Sequence, residues 1–94
     1  MEEIYDLAYL QSRVKFMVNL NKVKDAEEMV EREVAYVVKR CKEGRADIGY
    51  YFYKTFVKYM SEKSCYALSN AINAHGDEKT VSAFNRLLSD GLSV

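Results

Sequence analysis

Four cations, Arg13, Lys15, Lys22 and Lys24, gather in a stretch that also holds Tyr9 and two asparagines, Asn19 and Asn21. Such a set binds rather than makes bonds. Lysine and arginine hold phosphate or carboxylate oxygens, and a tyrosine ring gives a base a surface to stack on, worth on the order of 1–3 kcal/mol. If the stretch opens a helix, its cations sit at the end where the helix dipole prefers acids, so something else selects them. One candidate is an acidic segment of the chain itself, and Met1–Asp6 supplies Glu2, Glu3 and Asp6. The other is an external anion.

Bond-making chemistry finds little support. Cys41 or Cys65 with His75 would be a nucleophile and a base, but nothing nearby supplies an orienting group or an oxyanion loop. The two cysteines form no CxxC and His75 is the one histidine, which leaves zinc short of donors. Both thiols fall on apolar stripes and read as small buried hydrophobes. The segment GRADIG, from Gly44 to Gly49, has neither the glycine spacing nor the lysine of a phosphate loop. Glu27, Glu28, Glu31 and Glu33 lie at helical spacing among Lys24, Arg32 and Lys39, as a solvated, salt-bridged face does. No Glu-x-x-His pair suggests a di-iron bundle. The sequence therefore reads as a non-enzyme without a cofactor or metal.

The balance of 14 basic and 14 acidic residues argues against a duplex-DNA protein, whose affinity comes largely from phosphate neutralisation. No apolar run approaches a membrane span, and Met1-Glu2-Glu3 is acidic where a secretory signal would be basic, so the expected setting is the cytoplasm.

The elements that must position these residues read as helices. Proline is absent, and three of the four glycines stand where a helix would end. Phe16, Leu20, Val23, Glu27, Val30, Val34, Val37 and Cys41 alternate four and three apart, the spacing of a helix packed lengthwise on another. This predicts one long helix over 12–43, after an N-terminal segment 1–11, with Ser12 as its cap and Gly44 as its stop. Asp47 is placed to cap a second long helix over 47–74, which carries Tyr50, Tyr53, Val57, Met60, Ser64, Ala67 and Ala71 in the same rhythm. A break near Ser61 is the alternative to a continuous helix. Asp77 starts a short helix over 77–89. The expectation is a single all-α domain over 1–94, an antiparallel hairpin of two long helices plus a short C-terminal one. Tyr50, Tyr51, Phe52, Tyr53 and Phe56 cannot all face one partner helix, which predicts burial by further copies in a homo-oligomeric bundle.

Tyr9, Asn21 twelve residues on and Lys24 three further, within NKVKDAE, resemble the N-terminal pattern of phage anti-CBASS proteins, small helical hairpins that sequester cyclic oligonucleotides. SCYALSNAI, from Ser64 to Ile72, is similar to that family's small-aromatic-Met-Ala-Leu-x-Arg-Ala-apolar run, so the resemblance spans about Tyr5 to Ile72. The chain departs from the family at Leu10, where a basic residue is usual, in its lack of proline, and at Asn70, which replaces an arginine. Residues 77–94 extend past the family's usual end. The resemblance implies an oligomer holding cyclic di- or trinucleotides in pockets between protomers, in the cytoplasm of an infected host. Lys24 would meet a phosphate, Tyr9 would stack on a base, and Arg13 and Asn21 would complete the ligand-binding set. Immune evasion would follow from holding a signal without cleaving it.

Two other readings stand beside it. In one, an aromatic face from Tyr50 to Tyr59 covers a host protein, as a small phage or plasmid inhibitor would. In the other, SEKSCYALSNAINAHGDEKTVSAFNRLLSDG is a DNA-binding helix-turn-helix, although Lys79 and Arg86 face Asp77, Glu78 and Asp90 there.

Overall fold

The computed structural model of the chain describes residues 7–92, with side chains through Asp90. The described part is all-α: α1 Leu7–Asn19, α2 Val23–Lys42, α3 Ala46–Phe56, α4 Glu62–His75 and α5 Glu78–Leu87. A 3₁₀ turn, Val57–Tyr59, follows α3, and a wide terminal turn, Leu88–Leu92, follows α5.

The single helix expected over 12–43 is two helices, and Ser12 lies inside α1 instead of capping it. The break has a local cause. Asn21 adopts φ 61°, the left-handed conformation that ends helices. Its N–H donates to Val18 O at 3.0 Å, and the Lys22 N–H donates to Met17 O at 2.9 Å. That pair of bonds is the Schellman motif, which satisfies carbonyls at a helix C-terminus. Gly44, at φ 92°, closes α2 by the same device: its N–H donates to Cys41 O at 3.1 Å and the Arg45 N–H to Arg40 O at 2.9 Å.

The second long helix is also divided. Met60 is extended, and the Ser61 side chain accepts the Ser64 N–H at 3.1 Å to start α4, so the broken alternative describes this segment. The expected cap at Asp47 is displaced as well. Arg45 holds the cap position of α3, and Asp47 lies in the first turn, taking two hydrogen bonds of 3.1 Å from the Arg45 guanidinium. Asp77 caps α5 by accepting the Thr80 N–H at 2.8 Å.

The core lies where α2 packs against α1, α3 and α4, with α5 laid on α3 and α4. Val30, Val34, Val37 and Cys41 of α2 bury their stripe against Phe52 and Phe56 of α3 and Leu68 and Ile72 of α4. Each such apolar side chain stabilises the fold by about 1.5–3 kcal/mol. Phe84 anchors α5, its ring edge-on to Tyr53 at 4.9 Å between centroids. Phe52, Tyr53 and Phe56 are thus buried within the chain, Tyr50 is half-buried, and Tyr51 alone of that cluster is exposed. The aromatic cluster does not leave the surplus surface expected of it. The described residues form a slab of 40 × 37 × 19 Å. At helix packing distances of about 8–10 Å, that thickness holds roughly two layers of helix.

Candidate functional site

The turn at Asn21 decides what the N-terminal residues can do. α1 buries Leu10 and Val14, with Met17 and Val18 beside them. Beside that buried stripe the same helix carries Tyr9, Arg13 and Phe16, and Leu20 in the turn after it continues the line, four, three and four residues apart. Phe16 and Leu20 are the first members of the long apolar seam. In an unbroken helix they would continue the buried line of Val30, Val34 and Val37. With the helix broken they lie on the outside, Phe16 at 62% exposure and Leu20 at 50%, with Val23 at 45% where α2 begins.

Tyr9 is also exposed, at 59%, and it is paired with Arg13. The Arg13 guanidinium donates to the Tyr9 hydroxyl at 3.0 Å and lies 5.7 Å from the ring centroid. An exposed ring with a cation leaning on it gains about 0.5–1 kcal/mol and holds both groups in one place. Ser12, Phe16 and Met17 complete the shallow depression around this pair.

Of the four residues singled out for ligand binding, the structure brings Tyr9 and Arg13 together. It does not bring Lys24 to them. Tyr9 lies in the first turn of α1, and Asn19, where that helix ends, is ten residues further on, about 15 Å along the axis. Lys24 follows the turn, in the first turn of α2, and lines a separate depression with Glu27, Glu28, Glu31 and Arg32. Asn21 sits between them as a helix stop. The proposed internal partner of the cations, Glu2, Glu3 and Asp6, falls outside the described residues.

The charges are sorted along the chain. Residues 7–24 hold four cations and no carboxylate, whereas residues 25–33 hold five carboxylates and one guanidinium. One of those carboxylates has a structural duty. Glu31 accepts the Ser61 N–H at 2.7 Å, the Ser64 hydroxyl at 2.6 Å and the Ser61 hydroxyl at 3.2 Å, tying α2 to the start of α4. Burial pushes the Glu31 carboxyl up, but the three hydrogen bonds outweigh it and hold the group below its ordinary value.

The remaining candidates for chemistry are dispersed. Cys41 is fully buried in α2, and burial pushes its thiol up to about 11. Cys65 is half-buried in α4, and burial raises its thiol too. His75, exposed, lies ten residues beyond Cys65 on the same helix, about 15 Å along the axis. Among the described residues no cluster of three histidine, cysteine or acidic side chains is arranged to hold a metal ion, and no described helix is long and apolar enough to cross a membrane.

Sequence reasoning missed the outward side of α1 as a surface. The signal was present in Asn19-Leu20-Asn21, since asparagine is the usual substitute for glycine at a left-handed helix stop.

No protein family, curated protein or solved structure matches this chain.

Proposed function

We propose that the chain is a non-enzymatic binding protein that works as a homo-oligomer, with the outer side of α1 as its docking surface. The observation that carries this reading is the outward half of the seam: Tyr9 and Phe16 of α1 and Leu20 just past its end stand in one line, each at least half exposed. Single apolar residues on a surface are ordinary, but a line of them at helix-pairing spacing is the mark of a face that meets a partner. In this assembly α2 and the segment after it form the antiparallel support that carries α1.

Tagged wild-type and Phe16→Glu chains, each co-expressed with an untagged copy, test the reading. The wild type retains the untagged copy or a host protein, and the variant retains neither. Equal retention by both chains, or by neither, defeats it.

A second reading is favoured by the Tyr9–Arg13 pair, which joins a stacking ring to a phosphate-binding cation. Here the protein sequesters a cyclic di- or trinucleotide, as its resemblance to phage anti-CBASS proteins implies. Because Lys24 belongs to another helix, the pocket is shared between copies, with Tyr9 and Arg13 from one and Lys24 from its partner. A cyclic nucleotide should then raise the melting midpoint, and Tyr9→Ala or Lys24→Ala should abolish the rise. Unchanged melting across a panel of such ligands removes this reading.

A further inference from the structure

The surface that α1 docks on can be argued from charge and shape. It must be apolar opposite Phe16 and Leu20 and acidic opposite Arg13, because α1 carries no carboxylate of its own. The chain contains such a surface. A groove between α2 and α4 is lined by Val34, Ala35, Val38 and Ala67, and at Glu31 it meets the depression edged by Glu27 and Glu28. Ala35 and Ala67 are exposed and small, so the floor has room for larger side chains from outside. Lys24 and Arg32 edge the acidic half and Lys63 the apolar half, yet residues 25–33 remain dominated by carboxylates.

The spacings agree. Arg13 of α1 and Leu20 at the end of that helix's last turn are seven residues apart, and Glu28 and Ala35 are seven apart on α2. Two helical turns separate each pair, about 10.5 Å along the axis. A helix laid parallel to α2 can therefore set its cation on the acid and its apolar residue on the small one at once. Within a single chain this is prevented, because the Asn21 turn joins the end of α1 to the start of α2 and directs the outer side of α1 to solvent.

Resting on the docking reading above, we infer that the outer side of α1 in one copy seats in the α2–α4 groove of a second copy, with Leu20 over Ala35 and Ala67, Phe16 one turn earlier at the Glu31 end of the groove, and Arg13 against Glu28. Each copy offers both surfaces, and a reciprocal exchange of them about a twofold axis closes as a dimer. The charge contacts lie at the rim, where they steer and select more than they bind, and salt weakens them.

Sedimentation equilibrium tests this on the full chain. The wild type is expected to dimerise, more weakly at high salt. Arg13→Glu and Glu28→Arg should each weaken the dimer by about tenfold or more, and the double variant should recover most of that loss. Circular dichroism checks that each variant stays folded, which the exposure of both positions leads us to expect. A wild type that is monomeric at every concentration overturns the inference and the homo-oligomer of the docking reading together, while docking of α1 on a host protein is judged by the co-expression experiment. A dimer abolished by Phe16→Glu but without recovery in the double charge reversal overturns the inference and leaves the α1 reading in place. A dimer indifferent to Phe16→Glu overturns both.

Discussion

A Cβ added to Gly49 in α3 would lie 2.5 Å from the Cys41 sulfur in α2 and 3.1 Å from Ile72 in α4. Three helices converge on this point, and the missing side chain lets their backbones approach. Gly49→Ala should therefore cost about 1–3 kcal/mol despite the better helix propensity of alanine. In a domain of this size that lowers the melting midpoint by roughly 4–8 °C per kcal/mol. Cys41→Ala removes the atom in the way, so the two changes should be non-additive, the second relieving part of the first. Additive losses in a double-mutant cycle would show that the contact does not set the spacing.

The same burial governs thiol chemistry. Cys41 is sealed in the core with its thiol pushed up to about 11, whereas Cys65 is half-buried. Alkylation of the native protein at pH 8 should label Cys65 well before Cys41, because the thiolate is the reactive form and must also be reached. Mass spectrometry of a time course reads the order. Labelling of Cys41 first would contradict the packing of α2 on α3.

Glu31 links stability to pH. Its carboxyl is held below its ordinary 4.5 by hydrogen bonds from Ser64 and Ser61, against the upward push of burial. A carboxyl lowered in the folded state stabilises the fold while it is charged, and that contribution is lost as pH falls through the folded value. Glu31→Gln should melt below the wild type at pH 7, and the gap should close at pH below the ordinary carboxylate range. A gap that is constant with pH would mean that the charge of Glu31 has no part in joining α2 to α4.

Much of the fold was readable in the sequence, and the reasons for the rest are local. The apolar rhythm identified helix throughout, and it placed Val30, Val34, Val37 and Cys41 on one buried stripe. Gly44 was readable as a stop because glycine is the common residue at φ > 0. Asn21 makes the same turn with a side chain that also suits a helix surface, so periodicity ran straight through it. The break also bears on function, since one rod from Ser12 would keep Lys24 on the helix that follows Tyr9, whereas the structure places Tyr9 on α1 and Lys24 on α2. The aromatic cluster was misjudged for a different reason. A break at Ser61 allows α3 and α4 to present separate faces, and α5 supplies Phe84 as a further partner for Tyr53.

Substitution at Asn21 tests the break itself. Asn21→Gly should keep or raise the melting midpoint, because glycine reaches φ 61° without steric cost. Asn21→Ala should cost about 1 kcal/mol, because alanine keeps the Cβ but loses the short polar side chain whose local hydrogen bonding lets asparagine adopt the left-handed region. If alanine is the better tolerated of the two, the helix runs on through this position.

Under the proposed function, the outer side of α1 is where this protein meets its partner. A photo-crosslinking residue placed at position 16, compared with one at position 51, tests it most directly, since Phe16 and Tyr51 are both exposed, at 62% and 53%, and Tyr51 lies on α3, outside the α2–α4 groove. Irradiation of the purified chain should give an adduct of twice the 10.9 kDa chain mass from position 16 and little from position 51. Adducts of equal yield from both positions, or none from position 16 in the purified chain or in cells, would contradict it.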